Sequence, residues 1–278
     1  MYQPWAKVVK NIKKKGVFMP TVEDTEVNIV CLGQAGFRMQ FESLVIYIDP
    51  YLSHSVEFAE GPALRRQVPI WKSPHEIDDA NMILITHTHM DHCDVETLGP
   101  ISAASPTCKY MGPTDVGCVL AEENIALDRF ICATNMWHEI GSNLRIHPVP
   151  AAHPTIEVDS CGNFQQVGYI IEYKGRRIYH AGDTSLNKVM IEAVSNFKPI
   201  DVAMLPVNEC NYYRHNCGII GNMSIREAFQ FAEDINVNTL IPMHWDMFKC
   251  NSVYQEEIEI YYKLTNSPFL MLLNPSQI

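Results

Sequence analysis

The chain of 278 residues has no apolar run long enough to cross a bilayer, no low-complexity stretch and no repeat at a fixed period. The first absence argues against an integral membrane protein, and the others argue against flexible linkers and against a solenoid. The hydrophobic content of 47% is sufficient for a large buried core. Residues 1–278 are therefore expected to form a single α/β domain.

Paired cysteines are also lacking. The nine cysteines are an odd number and none belongs to a Cys-x-x-Cys motif, which favours reduced thiols over a disulfide framework. Residues 1–20 read as a basic amphipathic segment whose lysines interrupt its apolar residues, so this segment lacks the continuous apolar core of a signal peptide. Both observations predict a cytoplasmic protein.

Positive charge is scarce as well. The chain has 21 Lys and Arg residues against 32 Asp and Glu residues, a formal net charge of -11. This balance argues against a broad nucleic-acid surface, which requires a clustered basic face. The expected partner is a small anionic substrate, with neither nucleic acid nor membrane, and homo-oligomerisation is left open. The basic residues that could hold such a substrate are Arg65, Arg66, Lys72 and Arg214.

Histidine, in contrast, is concentrated in one segment. Residues 86–94 read Thr-His-Thr-His-Met-Asp-His-Cys-Asp and follow a short apolar run. His87 and His89 project to the same side of an extended segment, so both can reach one ion. Asp91 and His92 follow at a turn into a helix and would face a neighbouring position. The spacing predicts two adjacent metal positions at the edge of a buried sheet, and the weaker alternative is a surface histidine cluster.

The pattern His-x-His-x-Asp-His resembles the signature of the metallo-β-lactamase superfamily. Three further segments match that family, at residues 144–153, 177–184 and 240–244. The resemblance implies a four-layer αββα sandwich of the α/β class, with the site at the sheet edges and Asp183 bridging two metals. The implied metal ligands are His87, His89, Asp91, His92, His153, Asp183 and His244.

Some of these positions have competing interpretations. His153 competes with His147 in the same run, and Asp183 could instead cap the helix that follows it. Cys93 is interpreted as a packed thiol rather than a ligand. Asp49 either orients the histidine loop from behind, as in the family, or simply forms an Asp-Pro turn. The histidines interpreted as packed or supporting, and not as ligands, are His54, His75, His138, His180 and His215.

The predicted chemistry is hydrolysis. A divalent ion lowers the pKa of water from about 15.7 toward about 7 and polarises the oxygen under attack. Asp91 and Asp183 are the candidate catalytic residues, since either could position the water and accept its proton. Mixed histidine and carboxylate ligation admits Mn²⁺, Zn²⁺ or Fe, bound as one or two ions.

A closer resemblance concerns the substrate. Several segments are similar to the bacterial L-ascorbate-6-phosphate lactonase branch of the superfamily, which implies a lactonase acting on a phosphorylated sugar-type lactone, with Mn²⁺ favoured. Asn208 and Arg214 are the candidate substrate contacts, Arg214 through a bidentate grip on phosphate. The chain is shorter than that branch around residues 211–222. The similar segments are residues 78–100, 111–113, 179–184, 201–211 and 241–246.

Two alternatives stay open at this point. A phosphodiesterase acting on a small phosphodiester would use the same metal ligands. A metal-binding interaction protein without catalysis could use residues 1–20 as an amphipathic helix for a membrane surface or a partner.

The remaining sequence alternates strand-like and helix-like runs. Ser224 followed by Glu227 predicts a capping box at the start of one helix. Strands are predicted at residues 26–33, 37–41, 44–49, 82–86, 109–111, 130–132, 167–173, 177–180, 202–207, 240–243 and 269–273. Helices are predicted at residues 114–123, 186–194, 224–235 and 254–264.

Overall fold

Thirteen strands form the framework of the computed structural model, which describes residues 27–273. The N-terminal segment 1–20 lies outside the described residues. The strands are β1 (Val27–Gly33), β2 (Gly36–Phe41), β3 (Leu44–Ile48), β4 (Met82–Leu84), β5 (Lys109–Gly112), β6 (Phe130–Cys132), β7 (His138–Gly141), β8 (Leu144–Pro150), β9 (Val167–Tyr173), β10 (Arg176–His180), β11 (Ile200–Pro206), β12 (Val237–Met243) and β13 (Leu270–Met271).

The strands divide into two sheets. The first has six strands in the order β1-β2-β3-β4-β5-β6, and the second has seven in the order β13-β12-β11-β10-β9-β8-β7. Tight turns make β1, β2 and β3 an antiparallel meander, whereas β4, β5 and β6 continue in parallel because longer connections separate them. In the second sheet, β10 to β13 are parallel and β7 to β10 are antiparallel.

Within residues 27–273, seven α-helices connect the strands. They are α1 (Ser55–Glu60), α2 (Val95–Ala104), α3 (Thr114–Glu122), α4 (Lys188–Ser195), α5 (Tyr212–Asn216), α6 (Ile225–Asp234) and α7 (Gln255–Thr265). The predicted capping box is confirmed, since the Ser224 hydroxyl accepts from the Glu227 amide and the Glu227 carboxylate accepts from the Ser224 amide. None of the helices between residues 27 and 273 combines the length and apolar character that a bilayer crossing requires.

The layers follow from the alternation of side chains along the strands. In β3, Ile46 faces the second sheet and belongs to the core between the sheets, while Tyr47 faces outward. The outer side of the first sheet packs against α2 and α3 through buried residues such as Leu98 and Leu120. The helices α4 and α6 contact the second sheet, with Phe231 of α6 in its core. The αββα sandwich that the family resemblance implies is confirmed.

All eleven predicted strands are present, although their ends shift by up to three residues. The unpredicted strands are β7 and β8. Two prolines interrupt the apolar pattern of β8, and β7 is a half-exposed edge strand, so neither carries a strong sequence signal. The helix predicted from residue 186 begins at Lys188, and its N-cap is Asn187. Asp183 therefore does not cap that helix.

Candidate metal centre

Four strands carry the predicted ligands to one region where the two sheets meet. β4 ends just before the histidine loop, and β8, β10 and β12 end before His153, Asp183 and His244, respectively. Because β8, β10 and β12 run in the same direction, their carboxyl ends lie on one side of the second sheet. Ligands from both sheets therefore converge between them.

Hydrogen bonds between the sheets hold this arrangement. The amide of Val167 in β9 donates to the carbonyl of Thr86 at 3.0 Å, and the hydroxyl of Tyr169 donates to the carbonyl of Ile85 at 2.7 Å. Across the same gap, the His180 ring lies 2.8 Å from the carbonyl of Ala35, and its other nitrogen accepts from the Gly182 amide at 3.2 Å. His180 thus connects the turn that contains Ala35 to the loop that contains Gly182.

The structure brings all seven predicted ligands together. They form three groups in which the potential ligand atoms lie within 4.8 Å of one another. The groups are His87 with His89 and His153, His87 with His92 and Asp183, and Asp91 with His92 and His244. The first and third groups share no residue, so the site contains two separate places where three ligands converge.

Asp183 lies between these two places. Its Oδ2 atom is 3.6 Å from Nε2 of His153 in the first group and 3.2 Å from Nε2 of His244 in the third. Its Oδ1 atom is 3.4 Å from Nε2 of His92. A carboxylate whose Oδ2 atom lies near a histidine of each group has the position that a bridging ligand requires.

Unpaired polar atoms test whether this donor set fits a metal. Nε2 of His87, Nε2 of His92 and Oδ1 of Asp183 are buried and have no hydrogen-bond partner in the part of the chain that the structure describes. An unsatisfied buried polar atom costs about 1–3 kcal/mol, so three in one cluster indicate a shared partner. A divalent cation binds both imidazole nitrogen and carboxylate oxygen. The residues therefore fit a divalent metal.

The carboxylates give the site a negative potential. Burial by itself lowers the pKa of His244, but Asp183 and Asp91 outweigh burial and raise that pKa to about 9. Burial likewise opposes protonation of His92, and the carboxylates of Asp183, Asp91 and Asp49 still raise its pKa. Histidine binds metal in its neutral form, so protons and a divalent cation compete for this site.

Asp49 and Thr86 orient the histidine loop from the core. Asp49 is fully buried, and its Oδ1 atom accepts from the Thr86 amide at 2.8 Å. Its Oδ2 atom accepts from the Thr86 hydroxyl at 2.6 Å and lies 2.7 Å from Nδ1 of His92. The contact with Nδ1 directs Nε2 of His92 toward Asp91 and Asp183. Of the two interpretations left open for Asp49, the contacts favour an orienting role.

Gln34 is a site residue that the sequence analysis missed. It lies in the turn between β1 and β2, and its Nε2 atom is 2.6 Å from Oδ2 of Asp91 and 3.0 Å from Nε2 of His244. In the sequence, residues 32–37 indicate only a hairpin turn that needs small residues. The available signal was a long polar side chain inside a turn that is otherwise small or apolar.

Asn208, a candidate substrate contact, has protein partners. Its side chain is fully buried, donates to Oδ1 of Asn251 at 3.1 Å and accepts from Nδ2 of Asn222 at 2.9 Å. These bonds connect the segment after β11 to two other loops. They do not support direct contact with a substrate, which remains a prediction.

Arg214, the other candidate substrate contact, also has partners within the protein. Its guanidinium donates to the carbonyls of Glu209 and Ser252, each at 2.7 Å, and the residue is buried. Both acceptors are backbone atoms, so Arg214 fastens its own loop to the segment before α7. The bidentate grip on phosphate is unsupported by these contacts and remains a prediction.

The two residues that compete for a ligand role, His147 and Cys93, have surroundings that do not favour metal binding. His147 faces Trp137 and Phe197, and its Nδ1 atom donates to the carbonyl of Pro148 at 2.8 Å. Burial raises the pKa of the Cys93 thiol to about 12, which disfavours the thiolate that a metal would bind. In the described residues, neither belongs to a potential ligand group.

Comparison with known proteins identifies relatives of the chain. Residues 45–245 match the model of a family described as a beta-lactamase superfamily domain. A UPF0173 metal-dependent hydrolase from Pyrococcus furiosus is 30% identical over 236 residues, covering 84% of this chain and 91% of that protein. One from Pyrococcus abyssi is 29% identical over 235 residues, with the same coverage of 84% and 91%.

A solved structure is also similar. Igni18, a metallo hydrolase from the archaeon Ignicoccus hospitalis, superimposes with a TM-score of 0.69 at 18% identity, covering 91% of this chain and 98% of that one. At this identity the likeness concerns the fold alone. The fold and the ligand groups described above are thus found in a chain whose sequence relatives are metal-dependent hydrolases.

Proposed function

The chain belongs to the beta-lactamase superfamily, within the UPF0173 family of metal-dependent hydrolases, and we propose that it is a dinuclear hydrolase that opens a small anionic lactone. The observation that carries the proposal is the pair of separate three-residue ligand groups with Asp183 between them. His87, His89 and His153 would hold one ion, and Asp91, His92 and His244 would hold the other.

When bound, a divalent cation lowers the pKa of water and polarises the oxygen under attack. The two carboxylates of the site have different environments. The Asp91 side chain is 17% exposed, whereas that of Asp183 is 4% exposed. Asp91, the more exposed of the two, can accept the proton of the attacking water and deliver it to the ring oxygen that leaves as the lactone opens. Asp183, shielded from solvent, remains between the two ligand groups as their common partner.

The similarity of several segments to the L-ascorbate-6-phosphate lactonase branch supports a lactone as the substrate. Lactone opening requires one water, a polarised carbonyl and a group that receives the proton. The ligand groups and Asp91 meet those needs without an additional catalytic side chain. The same residues would also serve a phosphodiesterase, so the assay must compare the two substrate classes.

A cytoplasmic location is part of the proposal, supported by the absence of any disulfide among the nine cysteines of residues 27–273.

We infer that Arg66 holds the anionic group of the substrate, because it retains an unused guanidinium donor. It is buried, and its guanidinium lies 4.8 Å from the ring centre of Tyr51, which packs in the same apolar cluster as Met90 of the histidine loop. Its Nε and Nη1 atoms donate to backbone carbonyls, and Nη2 has no partner in the described chain. No carboxylate of the described residues forms an ion pair with Arg66, so an anion beside it would supply the missing partner.

The test is hydrolysis of L-ascorbate-6-phosphate by purified protein reconstituted with Mn²⁺. Bis(p-nitrophenyl) phosphate represents the phosphodiester class, and a His89→Ala, Asp183→Ala double variant gives the background rate. Metal-dependent lactone opening that disappears in the double variant is the expected result. Turnover of the diester alone would overturn the lactonase proposal, and stoichiometric metal without any hydrolysis would favour a non-catalytic metal protein.

A matched pair of variants tests the anionic substrate. Arg66→Met removes the buried charge while keeping a similar shape, and Arg65→Met is the control, because Arg65 is exposed and pairs with Glu57. We expect Arg66→Met to raise KM for the phosphorylated lactone at least tenfold and Arg65→Met to leave KM unchanged. Equal KM values in both variants would exclude Arg66 from substrate binding.

A further inference from the structure

Gln34 occupies an unusual position for a long polar side chain. It is 2% exposed, and its backbone adopts a positive φ of 57° in the turn between β1 and β2. Residues other than glycine, asparagine and aspartate rarely adopt this left-handed conformation. A buried glutamine in a strained turn indicates that the side chain serves a specific purpose at this position.

Of the ligand groups, the Gln34 side chain contacts only the one that contains Asp91 and His244. The Nε2 atom of Gln34 donates to Oδ2 of Asp91 at 2.6 Å and lies 3.0 Å from Nε2 of His244. The backbone repeats the connection, because the His244 amide donates to the carbonyl of Gln34 at 2.8 Å. The backbone amide of Gln34 in turn donates to Oδ1 of Asp246 at 3.3 Å.

The first ligand group has other supports. His87 contacts the Thr86 hydroxyl at 3.0 Å, and the His153 amide donates to the carbonyl of Thr155 at 3.1 Å. None of the hydrogen bonds found within residues 27–273 joins Gln34 to His87, His89 or His153. Gln34 therefore acts on one side of the site only.

We propose that Gln34 is a positioning residue for the second metal position: its side-chain amide holds Asp91 through Oδ2, and its backbone carbonyl holds the start of the His244 loop through the His244 amide. The inference rests on the proposed dinuclear centre. Asp91 is the more exposed carboxylate of the site, so without a donor its side chain can rotate toward solvent. The side-chain amide of Gln34 restrains Oδ2 of Asp91. Because this amide is neutral, it adds no charge to the site.

The test is the number and affinity of bound Mn²⁺ ions in Gln34→Leu, which keeps the size of the side chain and removes its polar atoms. Calorimetric titration of the metal-free full-length protein gives affinities, and elemental analysis gives the ion count. The wild type is expected to bind two ions. Gln34→Leu should bind the first as tightly as the wild type and the second about 10- to 100-fold more weakly.

A spectroscopic measurement supports the count without relying on activity. Two Mn²⁺ ions in one centre give an exchange-coupled electron paramagnetic resonance spectrum. At a metal concentration that fills both positions of the wild type, Gln34→Leu should instead show the signal of isolated Mn²⁺ ions. The matched control is Gln230→Leu, because Gln230 is exposed on α6 and bonds only to Asp234 among the described residues. This control should retain two ions and the coupled spectrum.

Each outcome decides a separate question. Two ions with wild-type affinities in Gln34→Leu would overturn the role of Gln34 while leaving the dinuclear centre intact. A folded variant that loses both ions equally would overturn its restriction to one position. A wild type that binds a single ion would overturn the dinuclear centre itself. If Gln34→Leu fails to fold, Gln34→Asn replaces it, since asparagine tolerates the left-handed backbone but is one methylene too short, and the same loss of the second ion is expected.

Discussion

Replacing Asp49 with asparagine tests how the core controls the metal site. The carboxylate accepts three hydrogen bonds, from the Thr86 amide, the Thr86 hydroxyl and Nδ1 of His92. The Thr86 amide can only donate, so in Asp49→Asn the side-chain oxygen must remain opposite that amide. The new NH₂ group then faces His92, which must accept through Nδ1 and carry its proton on Nε2. Nε2 is the atom directed at Asp91 and Asp183, so His92 loses its ability to bind metal.

The magnitude follows from these contacts. Substitution of a residue that orients a metal ligand commonly reduces metal affinity about 10- to 100-fold, and we expect this range for the second ion. The three hydrogen bonds survive in Asp49→Asn but lose their ionic partner, which lowers the free energy of unfolding by about 1–3 kcal/mol. Asp49→Ala removes both oxygens that accept the three hydrogen bonds at a fully buried position and should lower the free energy of unfolding by about 3–5 kcal/mol.

The assay combines Mn²⁺ titration with nitrogen-15 NMR of the imidazole rings in the metal-free protein, recorded at a pH above the raised pKa of His92 so that its ring is neutral. Asp79→Asn is the control, because Asp79 also accepts from neighbouring side chains, Arg38 and Tyr47, but belongs to no potential ligand group among residues 27–273. The expected result is a change of the His92 tautomer together with weaker binding of the second ion. An unchanged tautomer and unchanged affinity for both ions in Asp49→Asn would refute the reasoning.

Two further predictions concern stability. Gly182→Ala should lower the free energy of unfolding, measured by urea denaturation, by about 1–3 kcal/mol, because the backbone has a φ of 61° and a Cβ would lie 2.7 Å from a backbone carbonyl. Gly175→Ala is the control: a Cβ there would meet open space, and the free energy of unfolding should fall by about 1 kcal/mol. Burial opposes ionisation of Glu172, but hydrogen bonds from Arg177 and Arg145 outweigh it and lower its pKa. Glu172→Gln should therefore be less stable than the wild type above about pH 5, and this difference should vanish as the pH falls through the folded-state pKa. A difference that persists at low pH would contradict the assignment to the Glu172 charge.

Local patterns in the sequence predicted much of the fold and the candidate metal ligands. Short apolar runs such as residues 44–48 identify strands without knowledge of their partners, and the structure contains every predicted strand. The histidine loop is equally local, because His87 and His89 must lie on one side of any extended segment. The strand β8 was missed because its two prolines argue against a strand, although residues 144–147 alternate between buried and half-buried side chains.

Other features depend on contacts between distant parts of the chain. Gln34 and His244 are 210 residues apart, and no spacing rule connects a turn residue of the first sheet with a ligand after the last long strand of the second. Arg214 shows the converse, because a basic residue predicted to meet a substrate instead donates to two backbone carbonyls. The sequence by itself determined which residues can bind metal, since that depends on side-chain chemistry and local spacing. Only the tertiary structure decided which residues support the ligands, because hydrogen bonding depends on positions that arise when the two sheets pack together.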